Sequence, residues 1–142
     1  MKVQYCSDLH LEFALNDKYL QQKPLLANGN ILILAGDIVP LHDFNFSHPF
    51  FDLISDNYDK IFWVPGNHEY YHRDICEFGA SFNIEVRSNL HLVNNMIWQH
   101  EDIRFVFSTL WSKVSLKNEK VIEQGVSDFS CISKRDKKLK VS

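Results

Sequence analysis

The chain holds 142 residues, 45% hydrophobic and 23% charged, which are ordinary globular values that exclude a disordered chain or a coiled coil. No apolar run approaches the ~18 residues a membrane span needs. A net charge of −3 gives no general reason to expect nucleic acid or an anionic membrane as partner.

Val3 to Cys6 is a short apolar run and predicts a first strand. The chain turns polar at Ser7-Asp8, too early for the apolar region of a secretory signal. Ile31-Leu32-Ile33-Leu34-Ala35 is unbroken and stops at Gly36-Asp37, which suits a strand covered on both faces in a parallel sheet. Ile61-Phe62-Trp63-Val64 repeats the pattern and stops at Pro65-Gly66. Between the two, Phe46, Phe50, Leu53 and Ile54 mark a helical stripe, the crossover of a βαβ unit. Tyr71 to Val86 predicts a second helix, with Ile75, Phe78, Phe82 and Val86 at steps of three and four. His91–Val93, Met96–Trp98 and Ile103–Leu110 predict short strands, turned at Asn94-Asn95 and at His100-Glu101-Asp102. Glu119 to Gln124 predicts a helical turn or two, after which a polar segment runs to Ser142. The order is βαβαβ followed by a β meander, so the class is α/β, in a single domain over residues 1–142.

Charge is uneven. Residues 1–112 carry 7 Lys/Arg against 14 Asp/Glu, while residues 113–142 carry 8 against 4, mostly in Lys134 to Lys140. That basic end reads as a solvated segment or an incomplete helix in preference to an anion-binding tail. Cys6, Cys76 and Cys131 are widely spaced and form no C-x-x-C pair. They exclude a disulfide framework and a compact structural zinc site, and a reducing cytoplasm is expected. Cys6 reads as a small buried residue.

Three polar clusters sit at equivalent places. Asp8-Leu9-His10 follows the first strand, Gly36-Asp37 the second, and Gly66-Asn67-His68-Glu69 the third. Right-handed crossovers bring all three strand ends to one edge of a parallel sheet, where ligands of open α/β sheets bind. Two carboxylates, an imidazole and an amide carbonyl form a mixed oxygen and nitrogen set that suits Mn, Fe or Zn better than Ca²⁺ or Cu⁺. Asp8 and His10 project to the same side of an extended segment, so both reach one ion. Taken singly, an Asp after a strand is a cap or a turn residue, and a lone His is a satisfied surface group. Taken in order, the three clusters point to a metal site.

The series D-x-H, then G-D, then G-N-H-[DE], each behind a strand, resembles the calcineurin-like metallophosphoesterase family. The surroundings look like one bacterial subgroup of it: Ser7-Asp8-Leu9-His10-Leu11-Glu12, Val64-Pro65-Gly66-Asn67-His68-Glu69-Tyr70-Tyr71 and Ser108-Thr109-Leu110-Trp111-Ser112. Residues 1–112 match well, and 113–142 only loosely, through Val126-Ser127-Asp128-Phe129. The resemblance implies the N-terminal half of an αββα sandwich. It also implies two divalent ions sharing a hydroxide that attacks a phosphate ester. Asp8 and His10 would hold the first ion, Asp37 would bridge both, Asn67 would bind the second, and His68 would be the catalytic imidazole. Tyr70 and His72 are candidates either for substrate contact or for packing, and Thr109 and Trp111 for the pocket rim. His42, His48, His91 and His100 read as surface or turn groups.

Two later elements of the family pattern are missing: a lone His after a buried strand, and G-H-x-H. The chain has no Gly-His or His-x-His and no His after Trp111, so the second metal site is incomplete. The expectation is a truncated, poorly active form of a phosphoesterase. The alternative is a non-catalytic interaction module on a degenerate scaffold. Expected partners are a phosphate-ester substrate and a second copy covering the open sheet, with no membrane and no nucleic acid other than as substrate.

Overall fold

A computed structural model describes residues 1–42 and 48–141. In chain order the principal elements are β1 (Val3–Cys6), α1 (Ala14–Gln22), β2 (Ile31–Ala35), α2 (Pro49–Asn57), β3 (Lys60–Val64), β4 (Phe82–Arg87), β5 (Leu90–Asn94), β6 (Met96–His100) and β7 (Ile103–Phe107). They are followed by α3 (Glu119–Gly125), α4 (Asp128–Cys131), β8 (Ser133–Lys134) and β9 (Lys137–Lys138). The main sheet runs β1-β2-β3-β5-β4, parallel except for the antiparallel edge pair β5 and β4. The mixed α/β fold and its parallel-dominated sheet are those expected from the unbroken apolar runs.

Those runs are continuous because each face of the sheet has its own core. Ile61 and Trp63 of β3 pack with Leu32, Leu34, Phe51 and Ile54, whereas Phe62 and Val64 pack with Ile31, Val93 and Phe107. Helix α2 covers the first face and buries Phe50, Phe51 and Ile54, each worth about 1.5–3 kcal/mol on transfer from water. The β6–β7 hairpin covers the second. Phe62 stacks on Phe107 at a centroid distance of 4.6 Å and lies 4.9 Å from Trp98.

Four expectations need correction or limits. The helix over Tyr71 to Val86 does not form: the segment is a 3₁₀ turn at Ile75–Phe78 followed by strand β4. Gly79, at φ +73°, ends the turn. Phe82 and Val86 are four apart, which puts them on one side of a helix and equally on one side of a strand, so period alone could not separate the two. The meander is also divided, since β5 joins the main sheet and β6 and β7 pair separately. The basic end is solvated as expected, with Lys134, Arg135, Lys137 and Lys138 exposed, but it is no helix at its tip: β8 and β9 form a hairpin turned by Arg135 and Asp136, both at positive φ. Phe46, placed in the helical stripe, lies outside the described residues.

Helix α1 was not anticipated, because it buries no side chain fully and shows no apolar stripe. Its contribution is polar: Asn16 Nδ2 donates to Leu9 O at 3.1 Å and to His10 O at 3.3 Å, pinning the loop that follows β1.

The ends of β2 and β3 are joined by Glu69, whose side chain is fully buried. Four groups of the described residues donate to its carboxylate. Oε2 accepts from Asp37 N at 2.9 Å and Gly66 N at 2.7 Å. Oε1 accepts from Ile38 N at 2.8 Å and Trp63 Nε1 at 3.0 Å. Burial pushes the carboxyl pKa up, and these hydrogen bonds oppose it. Each oxygen faces two donors, an arrangement that an ionised carboxylate satisfies and an amide cannot. Glu69→Gln turns one oxygen into a donor facing donors and is expected to cost about 3–5 kcal/mol in urea unfolding. The exposed Glu85→Gln is expected to stay within about 0.5 kcal/mol.

Candidate metal centre

The loop after β1 is laid along the loop after β2 by backbone bonds: Asp8 N to Gly36 O at 3.0 Å, His10 N to Asp37 O at 3.0 Å and Leu11 N to Ile38 O at 2.8 Å. One ligand atom each from Asp8, His10 and Asp37 falls in a group whose members all lie within 4.8 Å of one another. All three residues have left-handed backbone, at φ 57°, 46° and 56°. Asp and His tolerate that region better than most residues, yet each such position costs on the order of 1 kcal/mol. Three in one loop pair bring three donors to one point.

Two close approaches set the position of Asp37. A Cβ on Gly36, which sits at φ +90°, would come within 2.9 Å of the Gly66 backbone. A Cβ on Gly66 would overlap Asp37 Oδ1. The carboxylate therefore nests against a backbone that only glycine leaves open, and Asp37 Oδ1 also accepts from His68 N at 3.1 Å.

The donors fit one divalent ion. His10 Nδ1 lies 3.0 Å from Glu12 Oε1. With its proton on Nδ1 donated to Glu12, the ring keeps a lone pair on Nε2, the common pattern for a metal-ligating histidine backed by a carboxylate. Glu12 was quoted only within the family resemblance and given no role. The extended segment expected to put Asp8 and His10 on one side does not form, since both residues are left-handed; they converge through the backbone bonds to the loop after β2, and no period in the sequence marks Glu12.

The remaining sequence candidates are placed as follows. His68 stands beside the first group, its Nδ1 3.5 Å from Glu12 Oε1 and its ring at a centroid distance of 4.5 Å from His10. Its other face stacks on Tyr71 at 4.2 Å. His10, Glu12 and His68 thus form a second convergent group, and no third group of three or more His, Cys, Asp or Glu donors forms among the described residues. Asn67 is half-buried and gives its Nδ2 to Asp128 Oδ1 at 2.8 Å. No donor group of the described residues pairs Asp37 with a second set of His, Cys, Asp or Glu beyond the two groups given.

Tyr70 is buried against Phe78 and Trp111, a packing role. His72 is exposed and pairs edge-on with His42. Thr109 Oγ1 donates to Pro65 O at 2.7 Å. Thr109, Trp111 and Asn67 line one open cleft of about 1580 Å³ that runs from Gly66 beneath β7. Cys6, expected to be buried, is half-buried, and that burial pushes its thiol pKa up to about 11.

A family model described as calcineurin-like phosphoesterase matches residues 1–139. An uncharacterized protein of Acanthamoeba polyphaga mimivirus is 38% identical over 149 residues, covering 94% of this chain and 52% of that protein. The crystal structure of a phosphopantetheinyl hydrolase from Mycobacterium tuberculosis superposes with a TM-score of 0.58 at 18% identity. That match covers 94% of this chain and 55% of the solved one, and at this identity it speaks for the fold. The chain spans about half the length of the relatives it matches.

Metal binding is read directly by thermal unfolding. Mn²⁺ at a hundredfold excess over its Kd is expected to add about 2.7 kcal/mol, seen as a rise in Tm. Asp8→Asn and Asp37→Asn each abolish the rise, and Gly66→Ala reduces it by displacing the Asp37 carboxylate.

Proposed function

The chain belongs to the calcineurin-like phosphoesterase family, and on that premise we propose that it hydrolyses a phosphate ester beside a divalent ion, manganese being the first candidate. The observation that carries the reading is the convergence of Asp8, His10 and Asp37 from two strand ends onto one point. Asp8, His10 and Asp37 would hold the first ion, and Asp37 with Asn67 the second. Such ions, when bound, polarise phosphoryl oxygens and make water a nucleophile near neutral pH.

The chain's own groups supply orientation and a proton. His68 is clamped between His10 and Tyr71, with Nδ1 turned to Glu12. Its Nε2 is then the atom that delivers a proton to the leaving oxygen. The imidazole is a quarter exposed, so a substrate oxygen can approach it. The leaving group lies along the cleft that opens beside Asn67, over Thr109 and Trp111. Cys6, Cys76 and Cys131 are free thiols. Among the described residues no helix is long and apolar enough to cross a membrane.

With Asp37 and Asn67 the donors toward the second ion among the described residues, this chain alone works slowly. Its turnover is nonetheless Mn²⁺-dependent. With an aryl phosphate as substrate, His68→Ala is expected to lower kcat about 10²–10⁴-fold while the Mn²⁺-induced rise in Tm survives. Asp37→Asn removes both. Hydrolysis that continues unchanged in Asp37→Asn, or without added metal after chelation, would sink the proposal.

A further inference from the structure

The segment after Trp111 was read as a loosely matched basic end, yet it supplies a group to the centre. Helix α4 is stitched to the segment behind Gly66-Asn67-His68. His72 N donates to Cys131 O at 2.7 Å, Ser133 N to Arg73 O at 3.0 Å, and Asp136 N to Asp74 Oδ2 at 2.8 Å. Ile132, at the end of α4, is 1% exposed. These contacts deliver Asp128, half-buried, to a point where its Oδ1 accepts from Asn67 Nδ2 at 2.8 Å and from the Tyr71 hydroxyl at 2.9 Å.

We propose that Asp128 is a positioning residue: its carboxylate sets which end of the Asn67 amide is offered to a cation and holds the Tyr71 ring against His68. The inference rests on Asn67 being a metal donor, and it adds how that donor is oriented. An amide side chain has a donor end and an acceptor end of nearly equal shape, so packing alone does not choose between them. An ionised carboxylate accepts only. Beside Asp128, the Asn67 amide must turn Nδ2 toward it, and Oδ1, the end a cation binds, is left facing away. The same oxygen fixes Tyr71, whose ring stacks on His68 at 4.2 Å. One carboxylate therefore orients a metal donor and the platform of the catalytic imidazole.

Asp128→Asn tests this, because the new amide still accepts a hydrogen bond but can also donate, so the Asn67 amide is free to turn over. Mn²⁺ binding to the whole chain is followed by calorimetry and by the exchange-coupled EPR signal of a manganese pair. The second equivalent is expected to weaken about 10–100-fold, the range usual for outer-shell partners of ligands, and the coupled signal to fade. The first equivalent and the Tm without metal stay near those of the parent. Asp128→Glu, still acceptor-only, restores part of the second affinity. In metal-free protein, the Asn67 side-chain amide resonances shift in Asp128→Asn and return toward the parent position in Asp128→Glu. Equal second-ion affinity in the parent and Asp128→Asn overturns the positioning role while leaving the two-ion reading intact. Uptake of a single ion by the parent overturns both.

Discussion

A single buried carboxylate holds this edge of the sheet together. Glu69 takes two donors on each oxygen and draws the turns after β2 and β3 onto one side chain, with the indole of Trp63 as the fourth donor. Inside the protein such bonds are stronger than in water, and each left unmade is costly. Asp37 and Gly66 are both held by it through their backbone N–H groups, so the Asp37 carboxylate and the glycine it nests against are fixed relative to each other. The last letter of G-N-H-E is thus the one that builds the site, and it never faces the cleft.

Around that clamp the donors are arranged at some conformational cost. Asp8, His10 and Asp37 all sit in left-handed backbone, a cluster of mild strain of the kind that accumulates at functional positions. The strain is offset by the ladder of backbone bonds between the two loops, by Asn16 from α1, and by the Glu69 carboxylate. Glu12 adds a shared anchor for two imidazoles, those of His10 and His68. The same few polar groups therefore serve geometry and chemistry together, which is why little of the loop backbone is spare.

Much of this was legible from residues alone. The bounds of β2 follow from its apolar run, because burial on both faces leaves no polar interruption to read around, whereas β1 is an edge strand whose Val3 and Tyr5 face solvent. The meeting of three motifs at one edge follows from parallel topology. What was not legible depends on tertiary partners. Glu69 looks like a surface acid until four donors are found for it. Phe82 and Val86 satisfy two periodicities, and only pairing of β4 with β5 decides between them. Helix α1 carries no apolar stripe, so hydrophobic period has nothing to detect. Asp128 is separated from Asn67 by 61 residues, and no local pattern links an acid in a short helix to an amide in a distant turn.

The left-handed ligand loops have a consequence for time as well as shape. Their geometry depends on strands that meet only after β1, β2 and β3 have paired, and on groups as far apart in the chain as Asn67 and Asp128. Closing such long stretches of chain is slow and entropically costly. A partly folded chain thus has scattered carboxylates and imidazoles but no cage, and nothing in it can select one cation from another. The ion would be a late arrival in the life of the molecule, entering a finished socket instead of gathering the chain around itself.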